Sequence, residues 1–524
     1  MFMPEKIESR KHELACEVPH GYPKRLESVQ EHAANTVILR RREMKRTLHP
    51  DLLEEITVRL EQAHRAFQKH YPGSTGARQP VHVVYGGAHL FRADTAKRLG
   101  ETALRSLDEF APDFITFAKV LGLPGSDRLP ASSESAAIIA QSIEADPEAA
   151  RKKNQPAWFA FTIYRRVREK LKREPVEDFR IDFEDGYGNR SDAEEDGHAA
   201  AAADEVASGL NAGELPPFIG IRIKPFTEEL RDRSIRTMDI FLTEFAAKTR
   251  GELPKIFFIT LPKVTLPDEV SALADLCARL EPMLDLEPGA LRFELMIETT
   301  QSIFNERGEV NLLPLVTAGH GRCVAAHFGT YDYTAGRNIT AAYQNMTHPA
   351  CDFALEVMQV ALAGTGVWLS DGATNILPVA KHRAGANGAP LTARQTAENR
   401  AAVHSAWKLH FDDIQHSLMN GYYQGWDLHP AQLPTRYAAV YSFFLSGLDS
   451  AAQRLRNFIE KAAQATLVGE VFDDAATGQG LLNYFLRAIN CGAITSEEAQ
   501  SLTGLTLAEL RSASFVKILD GRKK

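Results

Sequence analysis

The 524-residue chain has no apolar run approaching the ~18 residues of a membrane span, and its start, MFMPEKIESRKHELACEV, has no apolar core of the signal-peptide kind. Neither membrane insertion nor secretion is expected. Cysteine is scarce: Cys16, Cys277, Cys323, Cys351 and Cys491 are scattered, odd in number and free of C-x-x-C pairs. Such a set offers neither a disulfide framework nor a zinc cluster, and it fits a reducing cytoplasm. Basic charge is not in excess, with 60 Lys and Arg against 68 Asp and Glu for a net charge of −8. A nucleic-acid or anionic-membrane binder would carry a basic face, so neither partner is expected. P-loop and Rossmann fingerprints are absent, as are repeats of fixed period.

What is present is the composition of a globular protein, 44% hydrophobic and 24% charged. At ~150 residues per domain, the length suits either three or four domains or one enlarged barrel. Residues 1–78 are rich in helix formers with apolar residues three and four apart, and read as a helical N-terminal extension. Beyond the Pro/Gly punctuation of PGSTGARQP, eight short runs rich in β-branched or aromatic residues alternate with helical stretches. They are VHVVYGG from Val81, FRIDFEDG from Phe179, FIGIRIKP from Phe218, IFFITLPK from Ile256, LRFELMIET from Leu291, CVAAHFGT from Cys323, VWLSDG from Val367 and YYQGWDLHP from Tyr422. Eight strand–helix units predict an α/β fold, a (β/α)8 TIM barrel over residues 79–447. About ninety residues, 88–177, intervene between the first two runs, too many for one βα unit, and read as a helical insertion of lid size. Residues 448–524 form a helical C-terminal segment, broken at TLVGEVFDDAATGQ, that can serve as a lid over the chain's own or a neighbouring site.

In such a barrel the reactive groups end the strands. Here the second run ends in Asp182, Glu184 and Asp185, the third carries Arg222 and Lys224, and the fourth ends in Lys263. The fifth ends in Glu298, the sixth leads into Asp332, the seventh ends in Asp371 and the eighth in His429. A ring of carboxylates can hold a hard divalent cation: Mg2+ takes a couple of carboxylates and completes its octahedron with water and substrate oxygens. Glu298 and Asp332 are the best-placed pair, with Asp182, Glu184 and Asp185 behind them. Helix caps and salt-bridge partners are the competing reading of the same acids. Arg222 is either an anion receptor or a neutraliser of its acidic neighbours. Lys263 is either a Schiff-base lysine or a balancing charge. His327 and His429 read as barrel-wall residues.

The ordered series RIDFEDGYG, GIRIKP, ITLPKV, LMIETTQSIFN, AAHFGTYDY and GWDLHPAQL resembles the HpcH/HpaI aldolase and citrate lyase β-subunit superfamily, which includes malyl- and citramalyl-CoA lyases and is distantly related to malate synthase. The family's segments run D-x-E-D, R-x-N, LPK, IET, FG-x-x-D and IHP-x-Q; Lys224 stands where the family usually has asparagine. The resemblance implies an Mg2+-dependent lyase, Mn2+ being a possible substitute, that makes or breaks the C–C bond beside a carbonyl through a metal-stabilised enolate. Its substrate is a small carboxylic acid or an acyl-CoA thioester, and a homo-oligomer is implied. Glu298 and Asp332 fall on the metal-binding carboxylates, Arg222 and Lys263 on substrate-binding positions, and Asp182, Glu184 and Asp185 on the motif that orders metal-bound water. GEVFDDAATGQGLLNYFLRA looks like the family's C-terminal acid/base segment, with Asp473 on the key position and Asp474 its competitor. The alternatives are a metal-free Schiff-base aldolase using Lys263 and a non-catalytic barrel binding a small acid or a partner.

Overall fold

The structure is a computed structural model, and it describes residues 47–48, 50–73, 76–130, 134–384, 390–460, 466–468, 471–473, 475–512 and 517–518, with side chains outside 461–476. The chain divides into two compact units, Met1–His64 and Arg65–Lys524. What is described of the first is mainly the start of an exposed helix, Pro50–His70.

In the second unit each of the eight runs forms a strand: β1 His82–Gly87, β2 Asp178–Asp182, β3 Phe218–Arg222, β4 Phe257–Leu261, β5 Arg292–Ile297, β6 Cys323–Phe328, β7 Trp368–Ala373 and β8 Gln424–Asp427. They pair in parallel in chain order, and β8 returns to β1 to close the barrel. β2, β3 and β4 are buried at every position, as parallel strands covered on both faces must be, which is why their sequences read as nearly continuous apolar runs. The crossover helices carry their own boundary signals. Helix Asp192–Ala212 starts on a reciprocal cap between Ser191 and Glu194 and stops at Gly213, whose φ of 67° is the left-handed conformation that favours glycine.

The insertion after β1 holds helices Thr95–Phe110, Phe114–Leu121, Glu134–Ala145, Pro147–Lys153 and Gln155–Arg173. It packs along the flank of the barrel: Phe110 and Phe117 meet Trp407 edge-on at 6.4 and 5.8 Å, on helix Ala393–Met419. Tyr437, on helix Leu433–Ser446, donates a 3.0 Å hydrogen bond to the Pro175 carbonyl. The insertion thereby joins the same apolar core as the barrel wall.

The C-terminal segment is helical, at Leu448–Glu460, Ala475–Asn490, Ser496–Thr503 and Leu507–Arg511, but contains an antiparallel pair, β9 Thr466–Val468 and β10 Val471–Asp473, at the break in the helical pattern. Helix Ala475–Asn490 lies under the N-terminal ends of β1, β7 and β8, where Arg487 stacks on Tyr423 and lines one cavity with Val81 and Trp368. That is the end of the barrel opposite the strand C-termini, so this helix is no lid over the chain's own barrel mouth. No helix among the described residues is long and apolar enough to cross a membrane.

The barrel interior departs from the usual aliphatic filling. Tyr85 and Arg180 are register partners on β1 and β2, as are Thr260 and Glu294 on β4 and β5. Arg180, buried, ion-pairs with Asp178 and donates from Nε to Thr260 Oγ1 at 3.0 Å and Glu294 Oε1 at 3.2 Å. Thr260 and Tyr85 also donate to Glu294, at 2.6 and 3.2 Å.

Candidate active site at the barrel mouth

Asp182 and Arg222 end β2 and β3 as register partners. Arg222 donates from Nε and Nη2 to the two Asp182 oxygens at 2.7 and 2.6 Å, the planar two-point pairing that suits guanidinium and carboxylate. Asp182 also accepts from the backbone N–H groups of Glu184, at 3.0 Å, and Gly186, at 2.7 Å. With four donors its lone pairs are fully used, and the same contacts fold residues 183–186 into a turn over the strand end. A Cβ at position 186 would lie 2.6 Å from Asp182 Oδ2, so the turn needs glycine there. Arg222, 1% exposed, keeps Nη1 for the mouth, 3.1 Å from Glu184 Oε2 and 3.7 Å from Asp185 Oδ2. Its guanidinium carbon lies 4.7 Å from the Tyr85 ring centre and 5.6 Å from that of Trp426.

Lys263 follows Pro262 just beyond β4 with φ at 52°, a left-handed conformation uncommon outside glycine and asparagine. That conformation lets one residue serve two acids. Its backbone N–H donates to Glu298 Oε1 at 2.8 Å, while Nζ ion-pairs closely with Glu184 and lies 3.4 Å from Asp185 Oδ2 and 3.5 Å from Asp332 Oδ2. Burial alone would lower the lysine's pKa, but the carboxylates of Glu298 and Glu184 outweigh it and hold the ammonium above its ordinary value.

Glu298, one residue past β5, is buried, and its carboxyl is pushed up to about 8, first by burial and next by the negative charge of Asp332. It fits because residue 329, just past β6, is glycine: a Cβ there would stand 2.4 Å from Glu298 Oε2. Asp332 lies in the first turn of helix Thr330–Gly336 with its side chain 44% exposed. Among the described residues no three His, Cys, Asp or Glu side chains converge as a metal cage. Two repelling carboxylates, one buried and one open to the mouth, nevertheless fit a hard cation that takes its remaining ligands from water and substrate. Even with Glu298 holding a proton, the four acids Asp182, Glu184, Asp185 and Asp332 outnumber the two cations, Arg222 and Lys263, so the mouth retains negative charge for such an ion to balance.

The structure thus brings together Asp182, Glu184, Asp185, Arg222, Lys263, Glu298 and Asp332. The other strand-end residues serve the wall. Asp371 accepts from Ser417 Oγ at 2.6 Å, Lys224 donates to Glu195 at 2.8 Å, and His429 caps a short 3-10 helix through Nδ1, 3.1 Å from the Ala431 N–H. His327 is fully buried and its pKa falls to about 4, burial being the main cause, so it stays neutral. The backbone of Asp473 ends β10; its side chain, and the whole of Asp474, lie outside the described residues. Sequence reasoning missed the aromatic pair Tyr85 and Trp426 and the space made by Gly186 and Gly329. No local pattern in VHVVYGG marks Tyr85 as facing the barrel interior.

Among solved structures the chain is similar to a citrate lyase from Burkholderia xenovorans, at 18% identity and a TM-score of 0.44 over 65% of this chain and 92% of that one. It is also similar to malate synthase from Haloferax volcanii, at 14% identity and a TM-score of 0.36 over 64% and 87%. A third is CitE from Mycobacterium tuberculosis, in complex with magnesium, acetoacetate and coenzyme A, at 13% identity and a TM-score of 0.37 over 63% and 95%. At these identities and scores the chemistry has to be read from the residues themselves. No curated protein matches the chain. The match that spans most of the sequence is to a family model covering residues 60–518, and the chain belongs to that family, the domain of unknown function DUF6986.

Proposed function

We propose that the protein is a magnesium-dependent carbon–carbon lyase or aldolase, which cleaves or forms a small β-hydroxy acid or its acyl-CoA thioester through an enolate. The observation that carries this reading is the pair Glu298 and Asp332 on consecutive strand ends, mutually repelling, beside an arginine held rigidly by Asp182. Bound by these two carboxylates, Mg2+ or Mn2+ supplies Lewis-acid polarisation of a substrate oxygen. Arg222 presents Nη1 toward the mouth, where a fixed positive charge stabilises an oxyanion as it develops. Asp182 positions that guanidinium and has no lone pair left for another task. Glu184 and Asp185, paired with Arg222 and Lys263, are the acids that order water at the ion. Lys263 contributes a second fixed positive charge for the substrate carboxylate. Asp473 takes the hydroxyl proton in cleavage and returns it in condensation, acting at the mouth of a neighbouring copy in a homo-oligomer.

A Schiff-base route needs a neutral amine, and the acids around Lys263 keep it protonated. Borohydride with a keto acid should therefore leave no adduct on the protein. The direct test is calorimetry of Mg2+ together with a screen of short hydroxy and keto acids and 3-hydroxyacyl-CoA thioesters. EDTA should abolish turnover, added Mg2+ or Mn2+ should restore it, and Glu298→Ala should fold but neither bind the ion nor turn over. Full activity in that variant would overturn the assignment.

A further inference from the structure

At the opposite end of the barrel, helix Ala475–Asn490 and the N-terminal ends of β1, β7 and β8 enclose a cavity of about 70 Å3. Arg487 lines it, stacked on Tyr423 with its guanidinium carbon 3.8 Å from the ring centre. Of its five N–H donors, the hydrogen bonds within the described residues use one, Nη1 to Gln79 Oε1 at 3.3 Å. The Gln79 amide is fixed in that orientation, since its Nε2 already donates to the Leu369 carbonyl at 2.9 Å and to Gln424 Oε1 at 3.3 Å. No carboxylate of the described residues pairs with Arg487, in contrast to Arg180, Arg222, Arg322 and Arg436, each of which grips an acid. Burial pulls its pKa below the ordinary arginine value, opposed by Tyr423 and Cys491 but by no carboxylate. A guanidinium stacked on one face and lining a cavity with no counter-charge among the described residues is a receptor waiting for an anion.

The lining sets the class of anion. Among the described residues it contains one cation, which suits a single negative charge better than a doubly charged phosphate. Asn483 and Asn490 supply further amide groups, whereas Val440, Phe444 and Leu486 form an apolar wall. We propose that this cavity binds a small monocarboxylate with a short apolar tail, the carboxylate on Arg487 and the tail against Val440, Phe444 and Leu486. The site is separate from the barrel mouth and independent of the reaction performed there.

Butyrate is the probe, with sodium phosphate and sodium chloride at matched ionic strength as controls, on the full-length protein. Calorimetry should detect butyrate binding, and saturating butyrate should raise the thermal midpoint by roughly 2–4 °C. Arg487→Met keeps the stack on Tyr423 but removes the charge. It should unfold no earlier than the wild type without ligand, and it should lose the butyrate response. Absence of butyrate binding to the wild type, an unchanged response in Arg487→Met, or a response to phosphate alone would each overturn the proposal. Asp520→Asn tests whether the chain supplies the anion itself. If butyrate binds only once Asp520→Asn is introduced, the chain fills the cavity itself and the proposal fails.

Discussion

Gly329 shows how tightly the mouth is fitted. A methyl group there would stand 2.4 Å from Glu298 Oε2 and 2.5 Å from its Cβ, on a side chain that is buried and tied to the Lys263 N–H. Gly329→Ala should therefore cost about 1–3 kcal/mol in denaturant unfolding and weaken cation binding more than it weakens folding. Asp178, beneath the mouth, has a different signature. Burial pushes its carboxyl up to about 7, with Arg180 pulling it down and Glu294 pushing it further up, from 3.8 for a free side chain. Between those values the folded chain keeps a proton that the unfolded chain has released. Stability therefore falls as pH rises from about 4 to about 7, by at most about 1.4 kcal/mol per pH unit, and is level above that. Thermal midpoints of Asp178→Asn across this range should show the loss of that slope; an unchanged slope would place the proton elsewhere.

At the level of elements, the eight strands were legible because buried parallel strands have no polar face to conceal them. Their ends were less legible: FRIDFEDG reads as one run, yet β2 stops at Asp182 because that carboxylate captures the N–H groups of Glu184 and Gly186 and turns the chain. The acids of the site were legible for the same reason, since each ends a strand or follows one closely. The rings of Tyr85 and Trp426 around Arg222 were not, because which side chains face inward depends on the barrel's register rather than on any local pattern. The pair β9 and β10 was also passed over, its TLV and VFD segments being too short to stand out within a helical tail. Capping was readable where sequence alone decides it. Ser191→Ala removes the reciprocal cap of helix Asp192–Ala212 and should cost about 1 kcal/mol without touching the mouth. Equal loss of activity and stability in that variant would contradict the independence of cap and site.

Across the whole molecule, the polar layer of the barrel ties β2, β4 and β5 together through Arg180. At pH 8, where Asp178 has lost its proton, Arg180→Met leaves Asp178 and Glu294 buried without their cation and should cost about 3–5 kcal/mol. The combined replacement Arg180→Met, Asp178→Asn and Glu294→Leu should recover most of that loss, because no unpaired charge remains. Denaturant titrations of the single and combined variants measure the difference, and simple addition of the losses would exclude the coupling.

That layer also constrains how the sequence can drift. Position 180 answers to positions 178, 260 and 294, which arrive from β2, β4 and β5, so a change at one is tolerated only when the others change with it. Among relatives of this chain the four positions should vary as a set. The barrel's interior would then be inherited as a single compound character, while the helices around it diverge one residue at a time.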